Sequence, residues 1–244
     1  MWDWNFAISI LPKLLQAMLI TLSAAICSFL LSVIVGLLFA LGRRSKFKPL
    51  ARTIGGIVEF IRSTPLLVQL FFIFYVLPNY SITLSPFTAG VIGLGLHYST
   101  YLSEVYRSGI DAIPKGQWEA GKALNFSPLQ IWFRIILPQA IPPVIPVFGN
   151  YLIVMFKDTP LLSAITVVEM MQTAKIIGSE SFRYLEPFTI VGVLFFVLSF
   201  PSALLVRKLE GRLNKNTRKE NMTKDARKEV AINEPTAKFE SNSV

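Results

Sequence analysis

Long apolar runs alternate with short polar connections along most of this chain. Each run is close to the roughly 20 residues that a helix needs to cross the hydrocarbon core of a bilayer. The runs predict membrane-spanning helices near residues 13–41, 54–77, 87–109, 141–157 and 186–207. The pattern therefore indicates an all-α, polytopic membrane protein with about five transmembrane helices.

The charges in the connections predict how these helices are oriented. The loop after the first run contains five cationic residues and no acidic one, whereas the connection from Leu77 to Pro86 contains no charge. The next loop is again basic, and so is the segment from Arg207 onward. Because cytoplasmic loops carry an excess of Lys and Arg, we expect the N-terminus outside and the C-terminus in the cytoplasm. Trp2 and Trp4 suit a membrane interface, and no cationic segment precedes the first run, so we interpret it as a retained span rather than a cleaved signal.

Composition supports a membrane protein and excludes several other classes. The chain is 52% hydrophobic and 16% charged, whereas a soluble domain carries about a quarter charged residues. The net charge of +9 comes mainly from span ends and the C-terminal segment, which favours cytoplasmic loops over nucleic-acid binding. The single cysteine, Cys27, lies in an apolar run and excludes a disulfide framework or a thiolate metal site.

Two segments do not fit the spanning pattern. Residues 160–180 are too polar for a sixth lipid-facing span, so we expect a short helix packed against the bundle or lining a cavity. Residues 211–244 are polar, charged and poor in apolar residues, which predicts a disordered cytoplasmic tail.

The connection at residues 114–138 is polar but carries the signals of two short helices. Pro114 suits a first helical turn, and Asn125 tolerates the left-handed conformation found just past a helix end. A second helix then begins with a capping box and a hydrophobic staple. The box consists of Ser127, Pro128 and Gln130, and the staple of Phe126 and Ile131. We therefore expect a helix, a sharp break and a second helix.

The first of these helices has small residues beside its apolar ones. Gly121 lies between Ala120 and Lys122 and costs a helix about 1 kcal/mol relative to alanine. Its presence therefore indicates a close contact with another surface. An amphipathic helix lying on the membrane is the alternative interpretation of the same periodicity.

Residues 116–123 nearly match the phosphate-binding pattern G-x-x-x-x-G-K-[ST]. Ala123 occupies the position that needs a Mg²⁺-binding hydroxyl, and no strand precedes the segment. The segment is better explained as a helix, which leaves no glycine-rich cradle. We therefore predict no nucleotide site and no ATPase activity in this chain.

The third span carries a polar stripe. Its members are His97, Tyr101, Glu104 and Ser108, at i, i+4, i+7 and i+11. Ionisable groups inside a span usually face the bundle interior or a water-filled path. Gly95, Ser99 and Ser103 form a strip of small residues on the same helix, which allows close helix packing. We interpret one face as substrate pathway and the other as packing. The alternative is that His97 and Glu104 only hydrogen-bond neighbouring helices.

Further candidate residues lie at other helix ends. Lys157 and Asp158 end the fourth span before Pro160, and a self-neutralising pair at a broken helix suits a small zwitterion. An ion pair at the membrane interface is the alternative. Glu59 and Arg62, at i and i+3, are interpreted as a structural pair, and Gln69 is a weaker pathway candidate.

At these residues the chain resembles the permease subunits of ATP-binding-cassette (ABC) importers, specifically the polar amino-acid uptake group of type I permeases. The family's signature loop appears here as Glu119-Ala120-Gly121, Asn125 and Ile135-Ile136-Leu137-Pro138. Gly121 replaces the usual alanine, and Asn125 replaces the usual glycine. Residues 59–69, 101–110 and 157–163 match as well, and the resemblance covers a transmembrane domain at about residues 13–210.

The resemblance implies that the loop is a coupling helix that docks on a separate ATPase. The expected coupling residues are Trp118, Glu119, Ala120, Gly121, Leu124 and Asn125, and the expected pathway residues are His97, Tyr101, Glu104, Lys157, Asp158 and Thr159. In such importers two permeases, identical or homologous, join two ATPases that bind ATP and Mg²⁺, and an external solute-binding protein delivers the substrate. The chain itself would be a permease in the bacterial cytoplasmic membrane and not an enzyme.

The substrate implied is an amino acid or a related zwitterion. Residues 182–189 also resemble ectoine and hydroxyectoine permeases, which makes a compatible solute a second possibility. Two other functional classes compete with an ABC permease. One is a self-contained, ion-coupled secondary transporter, and the other is a membrane scaffold without transport, which would not need the polar stripe.

Overall fold

The computed structural model describes the backbone of residues 2–233 and the side chains of residues 2–213. Its α-helices are α1 (Trp4–Arg43), α2 (Lys48–Ser63), α3 (Leu66–Phe71), α4 (Pro86–Asp111), α5 (Lys115–Ala123), α6 (Pro128–Ile131), α7 (Leu137–Asp158), α8 (Met170–Ser181) and α9 (Leu185–Asn233). Two π-helical segments, Phe72–Val76 and Trp132–Ile136, and two 3₁₀ segments, Leu77–Tyr80 and Thr159–Ile165, join them. The part of the chain that the structure describes contains no strand, which confirms the all-α prediction.

Three helical segments are long and apolar enough to cross a membrane: Trp4–Arg43, Pro128–Ile165 and Leu185–Leu213. The bent pair Lys48–Ser63 and Leu66–Tyr80 would be a fourth. Helix α4 is long enough to span, but its polar stripe lowers its hydropathy and it is not among these segments. A membrane protein with several spans is therefore confirmed, while the count of five and the orientation stay predictions.

The predicted second span, residues 54–77, is wrong as a single helix. The two helical parts meet at an angle of 105°. Thr64 between them is extended, with φ −100° and ψ 140°, because the ring of the following Pro65 disfavours the helical conformation. The side-chain amide of Gln69 donates to the carbonyl oxygens of Ile61 (2.6 Å) and Thr64 (3.1 Å). These hydrogen bonds give partners to two carbonyl oxygens at the end of α2 that lose their intrahelical partners at the break.

The N-terminus of α1 is tied to the start of α9. The carboxylate of Asp3 caps α1 by accepting from the backbone N–H groups of Asn5 and Phe6, and it also accepts from Arg183 at 2.8 Å. The Arg183 hydrogen bond is the main cause that holds the pKa of Asp3 below its ordinary value. The backbone N–H of Asp3 donates to Glu186 at 3.0 Å. The cap explains why α1 begins at Trp4 rather than near the predicted residue 13.

The connection between α7 and α9 agrees with the predicted short packed helix. Helix α8 lies against α1 and α9 in an apolar cluster that includes Leu14, Ala17 and Met170. The fully buried carboxylate of Glu169 caps α8 by accepting from the N–H groups of Met171 (2.9 Å) and Gln172 (2.7 Å).

Helix α9 continues through the polar segment to Asn233. The structure here differs from the disorder predicted from residue 211, because the many Lys, Arg and Glu residues of this segment are good helix formers. The rest of the predicted tail, residues 234–244, lies outside the described residues.

Helices α1 and α4 pack closely through small residues. A Cβ atom at Gly36 of α1 would lie 2.9 Å from the backbone carbonyl oxygen of Ser99 and 3.1 Å from the Cβ of Leu102. A Cβ atom at Gly95 of α4 would lie 2.6 Å from Leu31. Gly95, Ser99 and Ser103 are all buried, which confirms that this strip is the packing face of α4.

We predict that Gly36→Ala lowers the stability of the fold, because the added methyl group meets backbone that cannot move aside. Overpacking of this kind typically costs about 1–3 kcal/mol. Gly192→Ala is the matched control, since a Cβ atom there meets nothing within 4 Å and alanine favours a helix by up to about 1 kcal/mol. Thermal unfolding in detergent would show a lower midpoint for Gly36→Ala only. Equal midpoints for the two variants would contradict the close contact.

Candidate functional site

The two short helices at residues 115–131 form a rigid, capped loop. Asn125 is left-handed (φ 56°). The N–H of Phe126 donates to the carbonyl of Gly121 (3.0 Å) and that of Asn125 to the carbonyl of Lys122 (2.9 Å), as in a Schellman motif. The capping box at Ser127 is present in both directions, with distances of 2.8 and 3.3 Å to Gln130. The predicted helix, break and second helix are confirmed.

An apolar cluster holds this loop against the ends of α4 and α7. Its buried members are Ile110, Ile131, Ile136 and Ala140, with Ile113, Trp118, Phe126, Trp132 and Ile135 packed around them. The rings of Trp118 and Trp132 meet edge to face, with centroids 5.2 Å apart. We call this group the coupling cluster. It connects α5 mechanically to α4 and α7.

Gly121 makes the close contact that its place in a helix indicates. A Cβ atom there would lie 2.9 Å from Ile131 and 2.9 Å from Ile135, so the contact is within this chain. Gly121 is buried and Trp118 is half-buried in the coupling cluster. These two predicted coupling residues therefore face the chain's own interior.

The other predicted coupling residues lie on the outer surface of the loop. They are Glu119, Ala120, Leu124 and Asn125, all exposed. Leu124 is 66% exposed, Leu129 of α6 is 69% exposed, and Phe133 of the π-helical segment that follows is 66% exposed. Apolar side chains left uncovered on a polar loop mark a surface that another protein or the membrane covers.

A second site lies between α4 and α7, where aromatic rings surround a carboxylate. The ring of His97 lies 5.4 Å from that of Tyr98 and 5.3 Å from that of Tyr101. Tyr151 of α7 lies 6.2 Å from Tyr98 and 6.0 Å from Tyr101. The hydroxyl of Tyr98 donates to the carboxylate of Asp158. We call these five residues the tyrosine cluster.

The sequence patterns missed two members of this cluster. Tyr98 is one residue away from the polar stripe, and Tyr151 lies outside every set of candidate residues that the patterns indicate. The available signal was a spacing of seven residues between Tyr151 and Asp158, which places both on one face of α7. Gln69 joins the cluster's edge, because its amide oxygen lies 3.3 Å from Nδ1 of His97.

Glu104, a predicted pathway residue, is the centre of an ion-pair network. Its carboxylate pairs with Arg43 of α1, with Arg107 at 2.8 Å and with Arg62 of α2 at 3.7 Å. Glu59 also pairs with Arg62 at 2.8 Å, which confirms the predicted structural pair. The geometry gives Glu104 a role in holding α1, α2 and α4 together.

The alternative interpretation of Lys157 and Asp158 as an ion pair at the interface is wrong, while their role toward a zwitterion stays a prediction. No ion pair joins them within the described part of the chain, since Asp158 accepts from Tyr98 while the Lys157 side chain is exposed. Thr159 is buried and its hydroxyl donates to the carbonyl oxygen of Phe156 at 2.7 Å. Of these three predicted pathway residues, only Asp158 belongs to the tyrosine cluster.

Comparison with known proteins places this arrangement in a family. The family model described as "Binding-protein-dependent transport system inner membrane component" matches residues 32–215, which is more than half of the chain. The chain belongs to this family. It is a multi-pass permease component of an ABC importer in the inner membrane, and such components are not enzymes themselves.

Curated relatives match almost the whole permease. The chain is 47% identical over 219 residues to a probable amino-acid ABC transporter permease protein, y4tG, of Sinorhizobium fredii, covering 88% of this chain and 95% of that protein. It is 39% identical over 204 residues to the L-cystine transport system permease protein TcyB of Bacillus subtilis, covering 82% and 87%.

Solved structures share the fold. A crystal structure of an amino acid ABC transporter with histidines matches with a TM-score of 0.82 and 33% identity, covering 87% of this chain and 99% of that chain. An inward-facing structure of the MetNI methionine ABC transporter matches with a TM-score of 0.59 at 19% identity, which bears on the fold alone. The predicted type I ABC permease fold is thus confirmed.

Proposed function

We propose that this permease imports an amino acid or a related zwitterion, driven by ATPase subunits that dock on the loop at residues 115–131. The observation that carries the proposal is the coupling cluster, which joins an exposed, capped loop to the two helices that form the tyrosine cluster. The relatives support the same function, because they include amino-acid and L-cystine permeases.

The exposed surface of the loop receives the ATPase. Glu119 provides a charged group, and Leu124 provides an apolar contact. The small side chain of Ala120 allows the partner to approach the backbone closely. The caps at Asn125 and Ser127 keep the two helices rigid, so a force on α5 moves the loop as a unit. ATP and Mg²⁺ bind to the partner, and this chain contributes positions and contacts only.

Motion of the loop reaches the substrate pathway through α4 and α7. Ile110 of α4 and Ala140 of α7 both belong to the coupling cluster. The same two helices carry Tyr98 and Asp158 further along their length. A displacement of α7 relative to α4 therefore separates the Tyr98 hydroxyl from the Asp158 carboxylate and opens the tyrosine cluster. This opening provides one of the two states of alternating access.

The tyrosine cluster recognises the cationic end of the substrate. A carboxylate attracts an ammonium group, and the faces of aromatic rings attract cations as well. An amino acid's α-ammonium group would replace the Tyr98 hydroxyl as the partner of Asp158. The delocalised cation of ectoine suits the same aromatic faces, and the resemblance at residues 182–189 makes it a second substrate to test. An external solute-binding protein delivers the substrate and sets most of the selectivity.

Docking is tested with Glu119→Arg. We expect the reversed charge to reduce co-purification of the ATPase and ATP-dependent uptake by about tenfold or more, because a charge mismatch at an interface costs several kcal/mol and about 1.4 kcal/mol is already tenfold. Glu180→Arg is the matched control, an exposed glutamate on α8. Normal docking and uptake in Glu119→Arg would contradict the coupling role. Uptake by the permease alone, driven by an ion gradient, would instead support a secondary transporter.

Substrate recognition is tested with Asp158→Asn in the assembled importer. We expect uptake at low substrate concentration to fall by about tenfold or more, since one charge-assisted contact is worth roughly 1.5–3 kcal/mol, while ATPase docking stays normal. Tyr98→Phe should have a smaller effect, and Tyr80→Phe, which changes an exposed tyrosine, should have none. Uptake assays with amino acids and with ectoine would measure KM for each. An unchanged KM in Asp158→Asn would contradict the proposed site.

A further inference from the structure

A deep apolar groove lies beside the coupling cluster, away from the tyrosine cluster. Its volume is about 610 Å³, within the range of roughly 300–1,000 Å³ typical of sites that enclose small ligands. Its walls come from α1, α4, the π-helical segment Trp132–Ile136 and α7. They include Leu37, Tyr106, Trp132, Phe133, Ile141 and Phe148. The walls are almost entirely apolar, so a polar solute does not suit the groove.

The groove is on the opposite face of α4 from the polar stripe. Tyr106 follows His97 by nine residues, and at about 100° per residue the two side chains point in directions about 180° apart. The Tyr106 ring packs on Phe148 of α7, with centroids 4.8 Å apart. A substrate path along the polar stripe would therefore run on the other side of α4 from the groove.

The rim of the groove is uncovered and apolar. Leu37 is 40% exposed, Ile141 47% and Phe133 66%. In a membrane protein such a surface meets hydrocarbon, since neither water nor a polar protein segment solvates it favourably. The groove therefore fits an acyl chain.

At its coupling-loop end, the groove wall is followed in the sequence by a cation, Arg134. Arg134 is the only charged residue between Leu124 and Phe156 in the sequence. It is exposed and directly follows Phe133 of the groove wall. In the predicted orientation this end is cytoplasmic, where anionic headgroups attract basic side chains.

We propose that the groove binds one anionic phospholipid of the cytoplasmic leaflet. The acyl chain lies against Tyr106 and Phe148, and the headgroup phosphate meets the guanidinium of Arg134. Because Trp132 and Phe133 belong to the segment that follows the coupling loop, the lipid fills the space between that segment and α1. The proposal does not depend on the substrate or on ATP coupling.

Native mass spectrometry of the purified permease tests the site, with phosphatidylglycerol as the probe and phosphatidylcholine for comparison. Ile141→Trp fills the groove and should weaken retention of phosphatidylglycerol by about tenfold. The larger side chain displaces two or more methylene groups of the acyl chain from the groove. Ile34→Trp is the matched control, at an exposed isoleucine of α1 outside the groove. Equal retention by the two variants and wild type would overturn the proposal.

The headgroup contact has its own pair of variants. Arg134→Gln should remove the preference for phosphatidylglycerol over phosphatidylcholine while still retaining either lipid. Arg52→Gln, at an exposed arginine of α2, should keep the preference. An unchanged preference in Arg134→Gln would overturn the assignment of the phosphate to this residue.

A measurement with the groove intact covers the case in which Ile141→Trp does not fold. In a Trp2→Phe, Trp4→Phe, Trp118→Phe background, Trp132 is the one remaining tryptophan of the sequence. Phosphatidylglycerol brominated in its acyl chain should quench the Trp132 fluorescence and saturate at a small mole fraction. Quenching that rises only in proportion to the lipid's mole fraction would indicate ordinary boundary lipid and overturn the site. Cross-linking of Ile145→Cys to the same residue of a second permease, in a Cys27→Ser background, would show that protein occupies the groove and overturn it as well.

Discussion

Helix α4 packs on α1 so closely that the carbonyl oxygen of Ser99 lies 2.9 Å from where a side chain at Gly36 would begin. This contact fixes the rotation of α4 about its axis. With the small residues turned toward α1, His97 turns toward Gln69 of α3 and Tyr98 toward Asp158 of α7. The polar interior of the permease therefore follows from the small residues on the other face of the same helix.

The two functional regions share helices rather than side chains. The coupling cluster holds one end of α4 and α7, and the tyrosine cluster joins the same helices further along. The ion pairs of Glu104 add α1 and α2 to the rigid part of the molecule. A partner that moves the loop at residues 115–131 can thus act on the tyrosine cluster without touching it, because the helices between them transmit displacement.

Local signals in the sequence predicted local structure well. The left-handed Asn125 and the capping box at Ser127 depend on residues close in the chain, so spacing alone was sufficient. The partners of Glu104 and Asp158 on other helices could not be predicted, because the sequence does not give the rotation of one helix relative to the next. The break at Thr64 was predictable in principle from Pro65, but the apolar run on both sides concealed it.

We predict that one face of α4 lines a water-accessible pathway, while the other face is packed against protein. Labelling single-cysteine variants with a water-soluble maleimide in membrane vesicles tests this directly, in a Cys27→Ser background. We expect His97→Cys and Tyr101→Cys to react and their reactivity to change when ATP is added to the assembled importer. Ser99→Cys and Ser103→Cys should stay unlabelled. Equal labelling on both faces, or labelling of residues 99 and 103 alone, would contradict the account.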